Sequence, residues 1–261
     1  MHADSAYVIG ASHETCQDYA RTVVKGDEAL AVVSDGCSSS PDTDIGARLC
    51  VLARLEGLGW FRRAYERCVS LGLRTTALDA TLVEAVATSD TVTIRVYGDG
   101  YGVMRQRNTS ELSLHTVQYP DGFPAYPNYE VDTLRGQAFL ARSEGRFVMV
   151  QHWDPVQAYW TQVFCTEEPN ISLGLPYLAQ ALSANIDLAL VLTDGFGSFR
   201  RQGPTGSESV PVTEVIDKLC SFKLYKGLFV KRRLKRFLKD AKALGWTHDD
   251  DLGIAAIYLG N

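Results

Sequence analysis

The sequence has no long hydrophobic run, no secretory leader pattern and no paired-cysteine motif. None of its apolar segments approaches the roughly 18–20 residues that a membrane-spanning helix needs. The start, Met1-His2-Ala3-Asp4, lacks a basic region followed by an apolar one, so we expect no signal peptide. The six cysteines include no C-x-x-C pair, and their spacing fits neither a zinc ribbon nor a dense disulfide framework. These absences predict a cytoplasmic protein with reduced thiols.

The composition is that of an ordinary globular protein. The 261 residues are 46% hydrophobic and 22% charged, with a formal net charge of −5. These fractions exclude a disordered chain, a collagen and a disulfide-stapled miniprotein. A chain of this length can bury a sizeable core, and the sequence contains neither an internal repeat nor a low-complexity tract.

Positive charge is concentrated in one segment near the end of the chain. Residues 223–242 hold nine of the 26 Lys and Arg residues but only one acid, Asp240. Apolar residues recur on one side of a helix there, at Leu234, Phe237, Leu238 and Ala241. A patch for nucleic acid or for an acidic membrane is one interpretation. We favour a solvated covering helix whose Lys and Arg stems lie over apolar surface, and we expect neither nucleic acid nor a membrane as partner.

Apolar periodicity predicts blocks of strands separated by helices. Strands are predicted over residues 7–12, 22–25, 29–34, 91–97, 103–107, 111–117, 137–142, 147–152, 186–192 and 252–259. Helices are predicted from about residue 44, with Asp42 or Thr43 as the cap, and over residues 75–87, 178–183, 212–219 and 230–244. Hairpin turns are predicted at residues 98–100 and 143–146, and a loop at residues 119–130. Because strands and helices do not alternate regularly, we predict an α+β fold of antiparallel sheets with helices on the outer faces.

Aspartates stand at the ends of the most apolar predicted strands. Asp35 follows residues 29–34, Asp194 closely follows residues 186–192, and an acidic triplet at residues 249–251 precedes the last strand. A carboxylate beside a buried strand is costly to desolvate unless a cation pairs with it, and no Lys or Arg lies near Asp35 or Asp194 in sequence. Asp-Gly is also a common turn dipeptide. The repeated pattern nevertheless favours a site for Mg²⁺ or Mn²⁺, which prefer oxygen ligands.

Five short motifs recur in a familiar order along the chain. They are Cys16-Gln17-Asp18, residues 30–36, Gly98-Asp99-Gly100, Leu192-Thr193-Asp194-Gly195 and Asp250-Asp251-Leu252-Gly253. In order and spacing they resemble the motifs of the metal-dependent protein Ser/Thr phosphatases of type 2C, as in a divergent bacterial member. The resemblance covers nearly the whole chain. It implies one domain over residues 1–261, built as a four-layer α-β-β-α sandwich of two antiparallel sheets flanked by helices.

The resemblance also implies a centre for two divalent cations, Mg²⁺ or Mn²⁺, between the sheet edges. The implied metal residues are Asp18, Asp35, Gly36, Asp99, Asp194 and Asp250. Asp35 would bridge both ions, Asp194 and Asp250 would hold one, and the Gly36 carbonyl would help to hold the other. Asp18 would bind an ion or orient water, and Asp99 matches a ligand of a third, weaker ion.

Such a centre implies the hydrolysis of phosphoserine and phosphothreonine in proteins by a water that two metals activate. Asp18 and Asp35 would then be catalytic, together with His13, which stands in place of the family's phosphate-gripping arginine. The expected partner is a phosphoprotein substrate, and no nucleophilic Cys or Ser is required. We expect a monomer.

Four positions depart from the family pattern. Gln17 replaces a metal-binding glutamate, and His13 lacks the bidentate fork of arginine. Cys37 replaces the histidine proposed as general acid, and we interpret it as a space-filling residue. Ser198 stands where a further metal-binding aspartate would follow. These departures motivate an alternative, a catalytically weak pseudophosphatase that binds phosphoproteins as a regulator. A metal-dependent nuclease is a third interpretation.

Overall fold

The computed structural model describes residues 1–168, 172–203 and 206–260. Strands in these ranges are numbered in chain order and form three antiparallel sheets. The larger sheet has the order β1 (His2–Val8), β15 (Leu252–Tyr258), β11 (Ile186–Leu192), β6 (Gly100–Gln106), β7 (Leu112–Gln118), β8 (Arg146–Asp154) and β9 (Tyr159–Glu168). The smaller sheet has the order β10 (Tyr177–Leu182), β5 (Thr91–Tyr97), β4 (Leu82–Ala87), β3 (Glu28–Ser34) and β2 (Tyr19–Lys25). A short third sheet consists of β13 (Gly206–Ser209), β12 (Phe199–Gly203) and β14 (Trp246–His248).

Helices cover the outer faces of the two large sheets. They are α1 (Thr43–Leu55), α2 (Trp60–Ser70), α4 (Val212–Leu219) and α5 (Phe229–Ala243), whereas α3 (Thr133–Arg142) places Phe139 in the core between the sheets. Buried side chains of α1 and α2 share one core with the smaller sheet, and those of α4 and α5 share another with the larger sheet. A third core fills the space between the sheets. The predicted α-β-β-α sandwich is therefore confirmed.

Alternation along the central strands explains why consecutive residues in them are apolar. In β3, Leu30 packs in the core under α1 and α2, whereas Ala31 packs between the sheets. In β11, Leu190 packs under α4 and α5, and Ala189 packs between the sheets. Successive side chains of a strand point to opposite faces, so a strand covered on both faces needs apolar residues at every position. Each fully buried Val or Leu contributes about 1.5–3 kcal/mol to stability.

The helix predicted over residues 75–87 is wrong. Only Thr75–Leu78 forms a short 3₁₀ turn, and Leu82–Ala87 is strand β4, which lies between β3 and β5. The apolar residues Leu82 and Val86 are four apart, a spacing that suits one helix face and equally one face of a strand. Because residues 82–87 pair with a strand on each side, this segment forms a strand and not a helix.

Two further element predictions are wrong. Residues 137–142, predicted as a strand, lie in α3, where the Asp132 carboxylate caps the helix by accepting the Arg135 N–H at 3.2 Å. Residues 178–183, predicted as a helix, lie mostly in β10, which pairs with β5 along its whole length. Sheet pairing overrides a weak local preference.

The turn at residues 98–100 does not form the predicted hairpin. It carries the chain from the smaller sheet to the larger one, because β5 pairs with β4 and β10 whereas β6 pairs with β7 and β11. Gly98 and Gly100 have φ angles of 86° and 132°. A Cβ on Gly100 would lie 2.9 Å from the Leu192 carbonyl oxygen, so the crossing requires glycine.

The boundaries near the start of the chain also differ from the prediction. The first strand is β1, which ends at Val8, because residues 9–18 form turns and irregular backbone. Helix α1 begins at Thr43, but Asp42 has φ 58° and makes no side-chain cap hydrogen bond. The Thr43 hydroxyl instead donates to the Cys37 carbonyl at 3.0 Å. Helix α2, β9 and the third sheet were not predicted. Among the described residues, no helix is both long and apolar enough to cross a membrane.

Candidate active site

One edge of the sandwich collects strand ends from both large sheets. In the larger sheet, Leu192 at the end of β11 pairs with Tyr101 near the start of β6 and with Ile254 near the start of β15. In the smaller sheet, the ends of β3 and β5 flank the start of β4. The crossing at residues 98–100 joins β5 to β6, so both sets of strand ends lie at the same edge.

The aspartates predicted from the sequence lie at this edge. Asp35 follows β3, Asp99 lies in the crossing, Asp194 follows β11 and Asp250 precedes β15. All four line one cavity of about 300 Å³, which we call the acidic cavity. The other residues that line it are His13, Gln17, Gly36, Cys37, Ser38, Ser39, Gly122, Phe123, Pro124 and Tyr126. Segments far apart in the sequence therefore meet at one site.

The aspartates of the acidic cavity raise the pKa values of their neighbours. Burial raises the pKa of Asp194 to about 6, and repulsion by Asp250 adds to this effect. Burial, followed by repulsion from Asp194 and Asp18, raises the pKa of Asp35 well above its ordinary value. The pKa of Asp99 rises for the same reasons, burial first and Asp194 next. Among the described residues that line the cavity there is no Lys or Arg, so this negative charge has no permanent cationic partner.

Asp18 connects the cavity to the ends of two strands. It is 1% exposed, and its Oδ2 accepts the Thr193 hydroxyl at 2.6 Å. The same hydroxyl oxygen accepts the Gly253 N–H at 2.8 Å, which links the ends of β11 and β15. Burial raises the pKa of Asp18, and the bond from Thr193 opposes the shift in part. The Asp18 Oδ1 is buried without a hydrogen-bond partner among the described residues. Since an unsatisfied buried carboxylate oxygen is costly, this atom is a candidate contact for a cation or a water.

Asp251 was not among the predicted site residues, yet it fixes one wall of the cavity. It is 1% exposed, and its carboxylate accepts the N–H of Gly10 at 2.7 Å and of Gln17 at 2.6 Å. His13 Nδ1 lies 3.0 Å from Asp251 Oδ2, and His13 Nε2 lies 3.7 Å from Asp250 Oδ1. These contacts hold residues 10–17 against the start of β15 and keep His13 at the cavity. The acidic triplet was the available signal, but it did not indicate which aspartate would be buried.

Two residues that depart from the family pattern make specific polar contacts. Gln17 Nε2 donates to Thr43 Oγ1 at 2.9 Å, which ties this side chain to the start of α1. Cys37 Sγ lies 3.1 Å from Ser39 Oγ. Burial acts to raise the pKa of the Cys37 thiol, but hydrogen bonds with Ser39 and Tyr126 outweigh it, so the net shift is downward. Cys37 is thus a polar group of the cavity wall, which the space-filling interpretation did not include.

Ser198, the fourth departure, is absent from the described residues that line the cavity. Its Oγ accepts the N–H of Asp250 at 3.3 Å, and the Asp250 carbonyl oxygen lies 3.0 Å from His248 Nδ1. These contacts fix the backbone of Asp250 just before the last strand. Ser198 therefore positions a predicted ligand and adds no oxygen of its own to the cavity.

The loop at residues 119–130 forms a further wall of the cavity, and a buried ion pair anchors it. Both oxygens of Asp79 accept from the Arg135 guanidinium, at 2.9 and 2.6 Å. Asn128 Nδ2 and Ser40 Oγ also donate to Asp79, at 2.9 and 2.7 Å. Asp79 thereby joins the loop and α3 to the segment that precedes α1. Sequence reasoning missed Asp79 and Arg135 because they are 56 positions apart and belong to no motif.

The donor chemistry of the acidic cavity suits a hard divalent cation. Carboxylates of Asp35, Asp99, Asp194 and Asp250 line it. Asp18 is not among the described lining residues, but its Oδ1 is buried without a hydrogen-bond partner among the described residues. Mg²⁺ and Mn²⁺ prefer such oxygen ligands. In the described part of the chain, however, no three His, Cys, Asp or Glu side chains form a group that could hold a metal ion as they stand. The residues fit such ions in chemistry, and a complete ligand set requires side-chain movement.

Comparison with known proteins shows similarity in fold. No protein-family model matches the chain, and no curated protein matches it. The serine/threonine phosphatase Stp1 from Staphylococcus aureus is 13% identical with a TM-score of 0.55, and the alignment covers 100% of this chain and 96% of that one. The serine/threonine phosphatase PstP/Ppp from Mycobacterium tuberculosis is 14% identical, with a TM-score of 0.52 and 100% of both chains covered. Serine-threonine phosphatase 2C from Toxoplasma gondii is 11% identical, with a TM-score of 0.53 and 98% and 95% covered. The chain therefore has the fold of the type 2C phosphatases that its motifs resemble.

Proposed function

We propose that the protein is a metal-dependent phosphatase that hydrolyses phosphoserine and phosphothreonine in proteins. One observation carries the proposal: aspartates from distant segments meet in one cavity, and no Lys or Arg is among the described residues that line it. Clustered carboxylates of this kind are costly to ionise unless a cation neutralises them. The fold supports the type of reaction, because proteins named as serine/threonine phosphatases share it over their whole length.

The residues that would hold the ions are Asp35, Asp194, Asp250 and the carbonyl of Gly36, with Asp99 for a third, weaker ion. When bound, two divalent cations supply positive charge to the phosphoryl oxygens and lower the pKa of water, so that hydroxide is available near neutral pH. The chain itself contributes burial and clustering of carboxylates at the sheet edge, and burial first, then mutual repulsion, raises their pKa values in the absence of a cation.

We assign to Asp18 the orientation of the attacking water. The Thr193 hydroxyl fixes Oδ2 at 2.6 Å. Oδ1 is left without a protein partner among the described residues. A carboxylate that is held at one oxygen presents the other in a constant direction, which is what a water-positioning residue requires. Gly253 completes this arrangement because its N–H donates to the same hydroxyl oxygen at 2.8 Å.

We assign to His13 the contact with the substrate phosphate. It lines the cavity beside Asp250, and its Nδ1 lies 3.0 Å from Asp251 Oδ2 without forming a hydrogen bond among the described residues. One ring N–H provides a single hydrogen bond, whereas arginine would provide two parallel ones. We therefore expect His13 to grip phosphate less firmly than an arginine at the same place.

Hydrolysis of p-nitrophenyl phosphate tests the proposal. The full chain should require Mn²⁺ or Mg²⁺ and lose its activity in a chelator. Asp35→Asn and Asp194→Asn should each lose nearly all turnover, because each removes a charged oxygen ligand. Asp249→Asn is the matched control, since this neighbouring carboxylate is exposed and pairs with Arg200 at 3.5 Å. Metal-dependent turnover that survives both cavity variants would exclude the assignment.

The substrate class requires a separate comparison. A phosphothreonine peptide and a phosphotyrosine peptide of the same sequence should differ in rate, with the phosphothreonine form preferred. DNA and RNA at physiological salt should remain intact. Cleavage of either nucleic acid that depends on Asp35 would favour the nuclease interpretation instead.

A catalytically weak regulator is the second candidate, and the position of Gln17 favours it. This amide replaces a charged ligand, and its Nε2 is engaged with Thr43 Oγ1 at 2.9 Å. Such a protein would bind a phosphopeptide without releasing phosphate even at saturating Mn²⁺. Measuring peptide binding and phosphate release on one preparation separates the two candidates.

A further inference from the structure

A second cavity, of about 790 Å³, lies outside the acidic cavity. We call it the α5 groove. Its walls are residues 4–8 of β1, residues 20–22 of β2, and a set of side chains in and before α5, namely Leu228, Lys231, Leu234, Lys235 and Leu238. It therefore lies between a helix and the outer strands of both large sheets.

The β1 wall of the groove is a free sheet edge. Strand β1 is the outer strand of the larger sheet and pairs only with β15, from His2 to Val8. An outer strand directs a row of N–H and C=O groups away from its sheet. In the described ranges, no backbone hydrogen bond joins β1 to another element on that side. Residues 4–8 of this strand line the groove, and the Ser5 hydroxyl donates to the Ala20 carbonyl of β2 at 3.2 Å. We infer that the unpaired backbone groups of this edge can receive a further strand.

The α5 wall of the groove is basic and partly apolar. Lys231 and Lys235 are exposed, and neither forms an ion pair with a carboxylate in the part of the chain that the structure describes. Leu228 is 58% exposed at the same wall. The acid in the lining, Asp4, is already engaged, because its Oδ2 accepts the N–H of Val230 at 2.7 Å and of Lys231 at 3.1 Å.

We propose that the α5 groove binds an acidic, extended peptide segment of a partner protein, which adds to β1 as a further strand. Backbone hydrogen bonds to β1 would supply affinity, and the side chains that face α5 would supply specificity, as in strand-addition complexes in general. This proposal is independent of the proposed phosphatase reaction, because none of the residues that line the groove also line the acidic cavity.

The spacing of the two lysines predicts the pattern of the peptide. Residues i and i+2 of a strand lie on one face about 6.8 Å apart. Lys231 and Lys235 are four positions apart on α5, which corresponds to a rise of about 6 Å. A peptide with Asp or Glu at every second position therefore presents one carboxylate to each lysine. The alternate positions face β2, where Arg21 and Thr22 line the groove.

A peptide fits this groove better than a nucleic acid or an anionic membrane. Those two partners would use the positive charge alone, and they would gain nothing from the accessible backbone of β1. The groove combines a strand edge, exposed apolar surface at Leu228 and two unpaired lysines. An acidic strand with interspersed apolar residues uses all three features.

Fluorescence anisotropy with a labelled peptide of alternating Glu and Val tests the charge pattern. The full chain should bind this peptide and ignore the peptide of alternating Lys and Val. Lys231→Glu combined with Lys235→Glu should weaken binding about tenfold or more. Lys239→Glu combined with Lys242→Glu is the matched control, because it makes the same charge change on exposed positions of α5 that do not line the groove. This control should stay within about twofold of the native chain.

Peptide N-methylation tests strand addition itself. Methyl groups on every second amide should abolish binding when they block the amides that face β1, and should have little effect at the other positions. Equal binding of the two methylated peptides would overturn the proposal. Equal weakening of peptide binding by the two double lysine variants would also overturn it. Displacement of the peptide by polyuridylate or by anionic vesicles that bind the native chain more tightly would have the same consequence. A concentration-dependent dimer that the groove variant abolishes would also overturn it, because the occupant would then be a second copy of the chain.

Discussion

Glu84 and Asp79 are buried carboxylates that arginines neutralise, whereas the aspartates of the acidic cavity cluster without one. Glu84 is 1% exposed and accepts from Arg54, and from Arg95 at 2.8 Å. Asp79 is also 1% exposed and accepts a two-pronged bond from Arg135. At the sheet edge, in contrast, no Lys or Arg is among the described residues that line the cavity.

At Glu84 and Asp79 an arginine neutralises a buried acid that serves the structure. Glu84 joins α1 to the smaller sheet through Arg54, and Asp79 anchors the loop at residues 119–130 through Arg135. The carboxylates of the acidic cavity repel one another instead, and their pKa values rise. We propose that this cluster, which has no Lys or Arg among the described lining residues, binds a cation from solution.

Removal of an arginine that pairs with Glu84 has the largest expected effect on the free energy of unfolding. Arg54→Ala leaves the buried Glu84 with Arg95 alone, so the free energy of unfolding should fall by about 3 kcal/mol. Urea unfolding at pH 7 measures the change. Arg62→Ala is the control, since its pair with Glu66 is exposed and should contribute less than about 1 kcal/mol. A loss at Arg54 no larger than that of the control would remove the distinction between the two regions.

Divalent cations that bind in the acidic cavity should stabilise the protein by a somewhat smaller amount. Mn²⁺ at a hundredfold excess over its dissociation constant should add about 2.7 kcal/mol to the free energy of unfolding, because it binds only the folded cavity. Differential scanning calorimetry of chelator-treated protein would show this as a rise in Tm. Asp35→Asn should lose most of the rise, whereas Arg54→Ala should keep it. An equal rise in both variants would place the ions elsewhere.

Neutralising one cavity aspartate should stabilise the metal-free protein by about 2–3 kcal/mol at pH 8. The pKa of Asp194 is raised to about 6 in the folded protein, above the ordinary value of about 3.9. Between these values the folded state binds more protons than the unfolded state, so stability falls as pH rises through this window. The Asp194→Asn variant has no carboxyl group at this position, so its stability does not fall for this reason as the pH rises.

The pH dependence of the same variant provides the control. The difference in unfolding free energy between Asp194→Asn and the native chain should be near zero at pH 4 and reach its full value above pH 7, with chelator present throughout. Asp249→Asn is the matched control, because this exposed carboxylate does not line the cavity. A destabilised Asp194→Asn at pH 8 would contradict the view that the cavity carries uncompensated charge.

The strand ends and their aspartates could be predicted from the sequence, although the roles of these residues stay predictions. Asp35 follows a run of apolar and small residues, and Asp194 follows a run that is apolar from Leu188 to Leu192. Such runs are typical of strands buried on both faces. The resemblance in five motifs then indicated the order in which these ends would meet. The sandwich fold followed from the same observations.

The structural carboxylates could not be predicted because their partners are distant in sequence. Glu84 lies in a segment whose apolar residues fit a helix as well as a strand, and its strand character comes from pairing with β3 and β5. The pair of Asp79 and Arg135 depends on how α3 packs against the segment before α1. The periodicity of apolar residues within either segment does not indicate such contacts.

Isothermal titration of Mn²⁺ into the chelator-treated full chain tests the central claim most directly. We predict that the native chain binds about two ions, that Asp35→Asn binds fewer, and that Asp249→Asn behaves as the native chain. Binding of two ions that Asp35→Asn leaves unchanged would contradict the account, and so would the absence of any binding at millimolar Mn²⁺.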